Sequence, residues 1–212
     1  MTKQKSYFEE DIDLDKLLKD SGVVDDIMRM EDIKARKLYL TGEIYSDNAD
    51  EISKLIMRYN KEDVGKPVEE RQKILLYINS VGGDVFQGFE IIDSIVASKT
   101  PVVCVVTGVC YSMAVPILAV CHKRYSFGTA SFLIHDGTSA VADSSSKAQD
   151  FLAFSNSIRK KIKDTILANS EIPAKLYAKK MREEWYMYAD EALGFKLIDG
   201  IVGKDIDIDE CI

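Results

Sequence analysis

The feature that most constrains this chain is a repeated order: a short apolar run, a turn, then a stretch with apolar residues at helical spacing. Residues 74–78 (ILLYI) and 102–106 (VVCVV) are continuous apolar runs of buried-strand length, and residues 131–135 form a third such run. After the first, Gly82-Gly83-Asp84 leads into Val85, Phe89, Ile92 and Val96, an apolar stripe on a helix that Asp84 is placed to cap. Upstream, residues 37–44 are β-rich and are followed by Ile52, Leu55, Ile56 and Tyr59 at helical spacing. Strands alternating with helices at this interval imply right-handed crossovers and a largely parallel α/β sheet.

The remaining segments fit around that frame. Thr107-Gly108 reads as a turn, and residues 112–120 as a helix apolar on every side and therefore inside the core, with Pro116 tolerated near its start. A long helix is predicted over 147–169, with Phe151, Leu152, Ile158, Ile162 and Ile166 on one face and Arg159, Lys160, Lys161 and Lys163 around the other. Shorter helices follow over 173–180 and 190–195, then a closing strand over 197–202. Residues 1–30 are an acidic appendage in which Leu14, Leu17 and Leu18 hint at one short helix, and residues 205–212 read as an acidic, solvated tail. The alternating carboxylates of that tail resemble half of a calcium loop without its glycine and its final glutamate. The main domain is expected over 31–204.

Composition removes several function classes. With 46% hydrophobic and 30% charged residues the chain buries a core, and a formal net charge of -7 argues against duplex nucleic-acid binding, which needs a basic face. Cys104, Cys110 and Cys121 lie in apolar stretches, where thiols pack as small hydrophobes, and a reduced compartment is expected. The N-terminus turns acidic without an apolar run of signal-peptide length, and residues 101–121 are too interrupted to span a membrane. A cytoplasmic location is therefore expected. Gly65-Lys66 is followed by Pro67 and lacks the upstream glycine of a phosphate loop, Ser80-Val81-Gly82-Gly83 is no dinucleotide fingerprint, and the spacing of Cys104, Cys110, Cys121 and His122 matches no usual zinc site. No metal and no cofactor are expected.

What remains is positional. Gly82-Gly83, Ser112 and His135 all fall at strand ends on one edge of the sheet, where open α/β sheets build their sites. The glycines free backbone N–H groups to face a cleft, and they equally suit an ordinary strand-to-helix turn. Ser112 sits where a turn enters a buried helix, as a nucleophile or as an N-cap. His135, one of two histidines, ends an apolar strand as a general base or as a satisfied core residue.

Three segments, Tyr77-Ile78-Asn79-Ser80-Val81-Gly82-Gly83, Gly108-Val109-Cys110-Tyr111-Ser112-Met113-Ala114 and Leu133-Ile134-His135, resemble in order and spacing the proteolytic subunits of Clp protease. Leu40-Thr41-Gly42 and Glu191-Ala192-Leu193-Gly194 extend the likeness. The resemblance implies the ClpP/crotonase-like fold, stacked βαβ units with a long handle helix. It implies a serine endopeptidase in which Ser112 attacks the carbonyl, His135 moves the proton, and the N–H groups of Gly83 and Met113 hold the oxyanion. The family takes its third group from an Asp, and the matching position here is Glu184, one methylene longer; Asp136, beside His135, is a decoy. Val81 stands where the family has Pro, and Glu183-Glu184 where it has Arg-Asp. The family implies polypeptide substrates, a homo-oligomer of heptameric rings, one ring or a tetradecamer, and an ATP-driven unfoldase as partner. Two other readings stay open: a crotonase-like acyl-CoA enzyme on the same fold, and a non-catalytic ring subunit.

Overall fold

The computed structural model describes residues 22–137 and 145–211. The chain divides into two units, Met1–Ala35 and Arg36–Ile212. In the first, helix α1 (Val23–Lys34) carries Asp25 and Asp26 in its first turn and Lys34 in its last, signs that suit the helix dipole. The short helix expected around Leu14 to Leu18 lies outside the described residues.

The second unit runs β1 (Lys37–Ile44), α2 (Ser46–Glu62), β2 (Ile74–Gly83), α3 (Val85–Ala97), β3 (Val102–Tyr111), α4 (Ala114–Ala119), β4 (Lys123–Ser126), β5 (Ser131–Ile134), α5 (Ser145–Ala168), α6 (Ala174–Lys180), β6 (Trp185–Tyr188), α7 (Ala189–Gly194) and β7 (Gly200–Ile201). The strands form one sheet in the order β1-β2-β3-β4-β7, all parallel, with β5 branching from β3 and β6 pairing antiparallel with β5. The mostly parallel α/β architecture expected from the apolar runs is what the chain adopts.

The branch is what builds the site. The first half of β3 pairs with β4 through Val103 to Val106, and its second half leaves that sheet to pair with β5 through Val109 to Tyr111. Thr107-Gly108, expected to turn, instead lies inside the continuing strand. The cause is Asn79: its side-chain Oδ1 accepts the Val109 N–H at 3.1 Å where the β2–β3 register shifts. Gly108 leaves room for it, since a Cβ there would fall 2.5 Å from that oxygen. A side chain thus replaces one ladder bond, and β3 runs on to end at the sheet edge.

One face of the sheet is covered by α2, α3 and α4, which bury Leu40, Leu76, Ile78, Val106 and Phe132. Helix α4 is buried along its whole length and is shorter than the predicted 112–120. On the other face Val105, Val202 and Cys211 pack with Tyr77, Tyr125 and Ile206. The tail is therefore not simply solvated as expected: Cys211 is buried and the Tyr77 hydroxyl donates to its carbonyl at 2.6 Å. Apolar Ile206 and Cys211 outweigh the carboxylates between them. Strands β4 and β6, each four residues, are too short to show in the sequence pattern, and β4 opens on two charged residues, Lys123 and Arg124.

The thiol expectation is corrected at two positions. Cys104 and Cys121 are joined as a disulfide, their Cα atoms 6.1 Å apart, while Cys110 and Cys211 are free and buried. Six-residue α4 returns the chain directly to β4, whose pairing sets Cys104 opposite Arg124, and this brings Cys121 back beside β3.

Where β1 begins, Arg36 is buried against Asp63, which is wholly inaccessible. The guanidinium donates to Asp63, to the Gln72 carbonyl at 2.9 Å and to Glu62 at 3.4 Å, and lies 5.0 Å from the centre of the Tyr59 ring. Lys66 and the Thr100 hydroxyl also donate to Asp63, at 2.9 and 3.0 Å. The hydrogen bonds from Arg36 hold the Asp63 carboxyl well below the usual carboxylate range despite burial. Among the described residues no helix is long and apolar enough to cross a membrane.

Candidate active site

The continued half of β3 delivers Ser112 directly onto α4. Ser112 has φ 53°, a left-handed conformation rare for a residue with a Cβ, and it is fixed by its N–H donating to the Leu133 carbonyl at 2.9 Å. The cap of α4 is Met113, so the N-cap reading of Ser112 does not describe the chain. The sharp turn places the hydroxyl at the sheet edge and brings in Gly82 behind it. A Cβ on Gly82, whose φ is 88°, would lie 2.7 Å from Ser112 Cβ and 2.9 Å from the Met113 nitrogen. That position requires glycine both for conformation and for space.

The neighbouring amides are aimed by the same turn. Among the described residues the Met113 N–H has no acceptor. The Asp84 N–H donates to the Ile44 carbonyl at 3.0 Å, so strand alternation turns the Gly83 N–H away from β1, toward the edge where Ser112 lies. A Cβ on Gly83 would collide with the Ile44 backbone, which accounts for the second glycine. Asp84 caps α3 as expected, accepting from the N–H groups of Phe86 and Gln87.

His135 follows β5, and β5 pairs with the continued half of β3, which carries the imidazole to the hydroxyl: His135 Nε2 and Ser112 Oγ are 2.8 Å apart. On the other side, β5 pairs with β6 so that Ile134 faces Trp185. One step further along that register, Glu184 comes opposite His135, and Glu184 Oε1 lies 3.2 Å from His135 Nδ1. The imidazole is 25% exposed and the carboxylate 58%, so this carboxylate is wetter than one buried behind its histidine. Asp136 makes no such contact; it pairs with Arg159 of α5. His122 is exposed, and its Nδ1 accepts the Val102 N–H at 3.1 Å, where β3 begins, at the opposite end of that strand from Ser112.

Gly83, Ser112, Met113 and His135 line a cleft of about 950 Å³. Its far wall comes from α5 and includes Phe154, stacked on Phe86 of α3 at 6.2 Å, together with Ile158 and Ile162. Of these wall residues, Phe86, Phe154 and Arg159 escaped sequence reasoning as site residues. Helical periodicity marked the α5 stripe but not what it would face. A hydroxyl, an imidazole and a carboxylate in series, beside backbone donors in an apolar cleft, is the arrangement by which serine hydrolases activate a nucleophile and stabilise an oxyanion.

Comparison with known proteins defines the family. The Clp protease family model matches residues 19–205, and the chain belongs to the Clp protease family. Similar proteins include the ATP-dependent Clp protease proteolytic subunit 2 of Treponema pallidum, 27% identical over 178 residues that cover 83% of this chain and 86% of that protein. The ATP-dependent Clp protease proteolytic subunit 1 of Chlamydia pneumoniae is 29% identical over 183 residues, 84% of this chain and 92% of that protein. Subunit 2 of the Treponema denticola enzyme is 28% identical over 188 residues, 88% of this chain and 91% of that protein.

Proposed function

We propose that this chain is a serine endopeptidase that hydrolyses unfolded polypeptides, with Ser112 as nucleophile, His135 as general base and acid, and Glu184 as the carboxylate behind the imidazole. The observation that carries the reading is the unbroken series from Ser112 Oγ through His135 to Glu184, at 2.8 and 3.2 Å, with Ser112 and His135 lining one apolar cleft and Glu184 behind the imidazole. His135 Nε2 takes the hydroxyl proton as Ser112 Oγ attacks the peptide carbonyl, and the oxyanion is held by the N–H groups of Gly83 and Met113. The imidazolium then protonates the leaving amine, an acyl-enzyme remains on Ser112, and water activated by the same imidazole releases the acid. Glu184 keeps the Nδ1 tautomer and offsets the imidazolium charge. The Ser-His contact favours this chemistry over an acyl-CoA reaction, which would use the amide donors alone.

The active form proposed is a homo-oligomeric ring of seven subunits, single or paired, fed by an ATP-driven unfoldase. Two observations support it. The first half of α5 leaves Phe151, Leu152 and Phe154 exposed although the second half buries Ile166, an apolar face that a second copy would cover. The similar proteins are named as subunits of an ATP-dependent protease. The peptidase domain is proposed over residues 31–204, with 1–30 an appendage and 205–212 a tail. A cytoplasmic setting is part of the proposal, and it requires the Cys104–Cys121 pair to be reduced there. Quantifying alkylated thiols in protein trapped from intact cells checks this.

A fluorophosphonate probe followed by peptide mapping tests the chemistry. The expected result is a single adduct on Ser112, together with cleavage of a fluorogenic peptide. A correctly folded, assembled protein without that adduct would be no serine peptidase.

A further inference from the structure

Asp136 follows His135 in the chain and lines the same cleft, so a second carboxylate belongs to this site besides Glu184. It does not stand alone. Arg159, projecting from the α5 wall, places Nε 3.4 Å from Asp136 Oδ1, and the two side chains are 33% and 41% exposed. Arg159 also donates to Asn156 Oδ1 at 3.3 Å, one turn away on its own helix. From α6, Tyr177 faces Asp136; burial, with a smaller contribution from that carboxylate, pushes its phenol up to about 12, so it adds no charge at neutral pH. The other ionisable groups on the cleft are Glu43 at the end of β1, the phenol of Tyr45 just after it, and Asp84, which is occupied as the cap of α3. Arg159 is thus the one cation among the described residues that line this cleft.

That arrangement has a chemical consequence. A histidine serves as general base only in its neutral form, and each unneutralised carboxylate beside it favours the charged form. With Asp136 paired to Arg159, the carboxylate in contact with the imidazole is Glu184, on Nδ1. We propose that Arg159 is a positioning residue for the Ser112–His135 pair, acting through Asp136: it neutralises and holds the adjacent carboxylate so that Glu184 alone sets the tautomer and basicity of the imidazole. This rests on the serine-peptidase reading and adds to it a role for the α5 wall.

The experiment uses the full, assembled chain with carbon-13-labelled histidine, which gives two ring signals because the chain has two histidines. The titration of His135 is followed in the unsubstituted chain and in R159Q, R159K, D136N and D136N/R159Q, with His122 as internal reference. Peptide hydrolysis is measured against pH in parallel. In R159Q the His135 titration and the acid limb of kcat/KM both move up by about 0.5 to 1 pH unit, with KM little changed. R159K stays near the unsubstituted chain, D136N moves the titration down if at all because the cation it leaves unpaired disfavours the imidazolium, and adding D136N to R159Q restores it. The proposal is overturned if the R159Q titration superimposes on the unsubstituted one, or if D136N shifts it as R159Q does, since a merely structural tie would be broken equally from either side. R159K and D136N keep the test open should R159Q not fold. Absence of any Ser112 adduct in the unsubstituted chain would remove the peptidase reading, while the histidine titration would still decide the role of Arg159.

Discussion

The two ends of the parallel sheet hold their charges in opposite ways. At the end where β1 begins, Asp63 is wholly buried and saturated, accepting from Arg36, Lys66 and Thr100. At the end where β3 stops, His135 and Glu184 are partly exposed and joined by single contacts to Ser112 and to each other. Burying a charge without full pairing costs several kcal/mol, so a cluster that serves only the fold must use every acceptor it has. A site that serves chemistry must leave a hydroxyl and two amides for a molecule that is not there yet. Saturation at one edge therefore marks the part of the sheet that holds the chain, and the unsaturated edge is the part proposed to act.

The comparison is broken most severely at the acting edge. Ser112→Ala is expected to lower peptide hydrolysis by about 10³-fold or more and to leave the thermal midpoint unchanged, read by kinetics and calorimetry on the same sample. At the holding edge the pattern inverts. Asp63→Asn leaves buried Arg36 with only the distant edge of half-exposed Glu62 as an anion and is expected to cost about 3–5 kcal/mol of stability, while kcat/KM of the protein still folded stays within about twofold. Chemical denaturation with a parallel assay separates the two. A loss of activity larger than the loss of folded protein would show that the edges are coupled.

Smaller effects sharpen the picture. Glu184→Gln is expected to lower kcat by about 10- to 100-fold, less than removal of a fully buried triad carboxylate, because Glu184 is more than half exposed. Glu184→Asp, which shortens the reach by one methylene, tests whether the longer side chain is needed to meet Nδ1 across the β5–β6 register; the expected kcat lies between those of the native and Gln forms. The smallest effect is on acid stability. The Asp63 carboxyl is held below its ordinary range in the folded chain, so its contribution is fully present above the unfolded value of about 3.9 and is lost as pH falls through and below it. The stability gap between the native chain and Asp63→Asn should therefore narrow below about pH 4, followed by denaturant midpoints across pH.

Much of the acting edge was legible from sequence because it is carried by local signals. A glycine pair after a buried strand, a serine entering an apolar helix and a histidine ending a strand each sit at a strand terminus, and strand termini are what apolar runs locate best. Glu184 was found only by counting back along a family pattern; its position opposite His135 depends on β6, a four-residue strand with no readable alternation. Arg36 and Asp63 gave no signal, since they lie 27 residues apart in stretches rich in charge, and only folding decides which charge goes inside. Gly108 was misread as a turn because its glycine answers to the side chain of Asn79, a contact between strands rather than within one. Cys121 was likewise read from its apolar neighbours, whereas its partner is fixed by how soon α4 ends.

The most direct test of the central claim is the rate at which a fluorophosphonate modifies Ser112 in the native chain and in His135→Ala, read by intact mass at pH 7. A hydroxyl activated by that imidazole gives one adduct per chain in the native protein and a rate lower by at least about 10²-fold in the variant. Equal rates in the two proteins would mean that the 2.8 Å contact does not activate the hydroxyl.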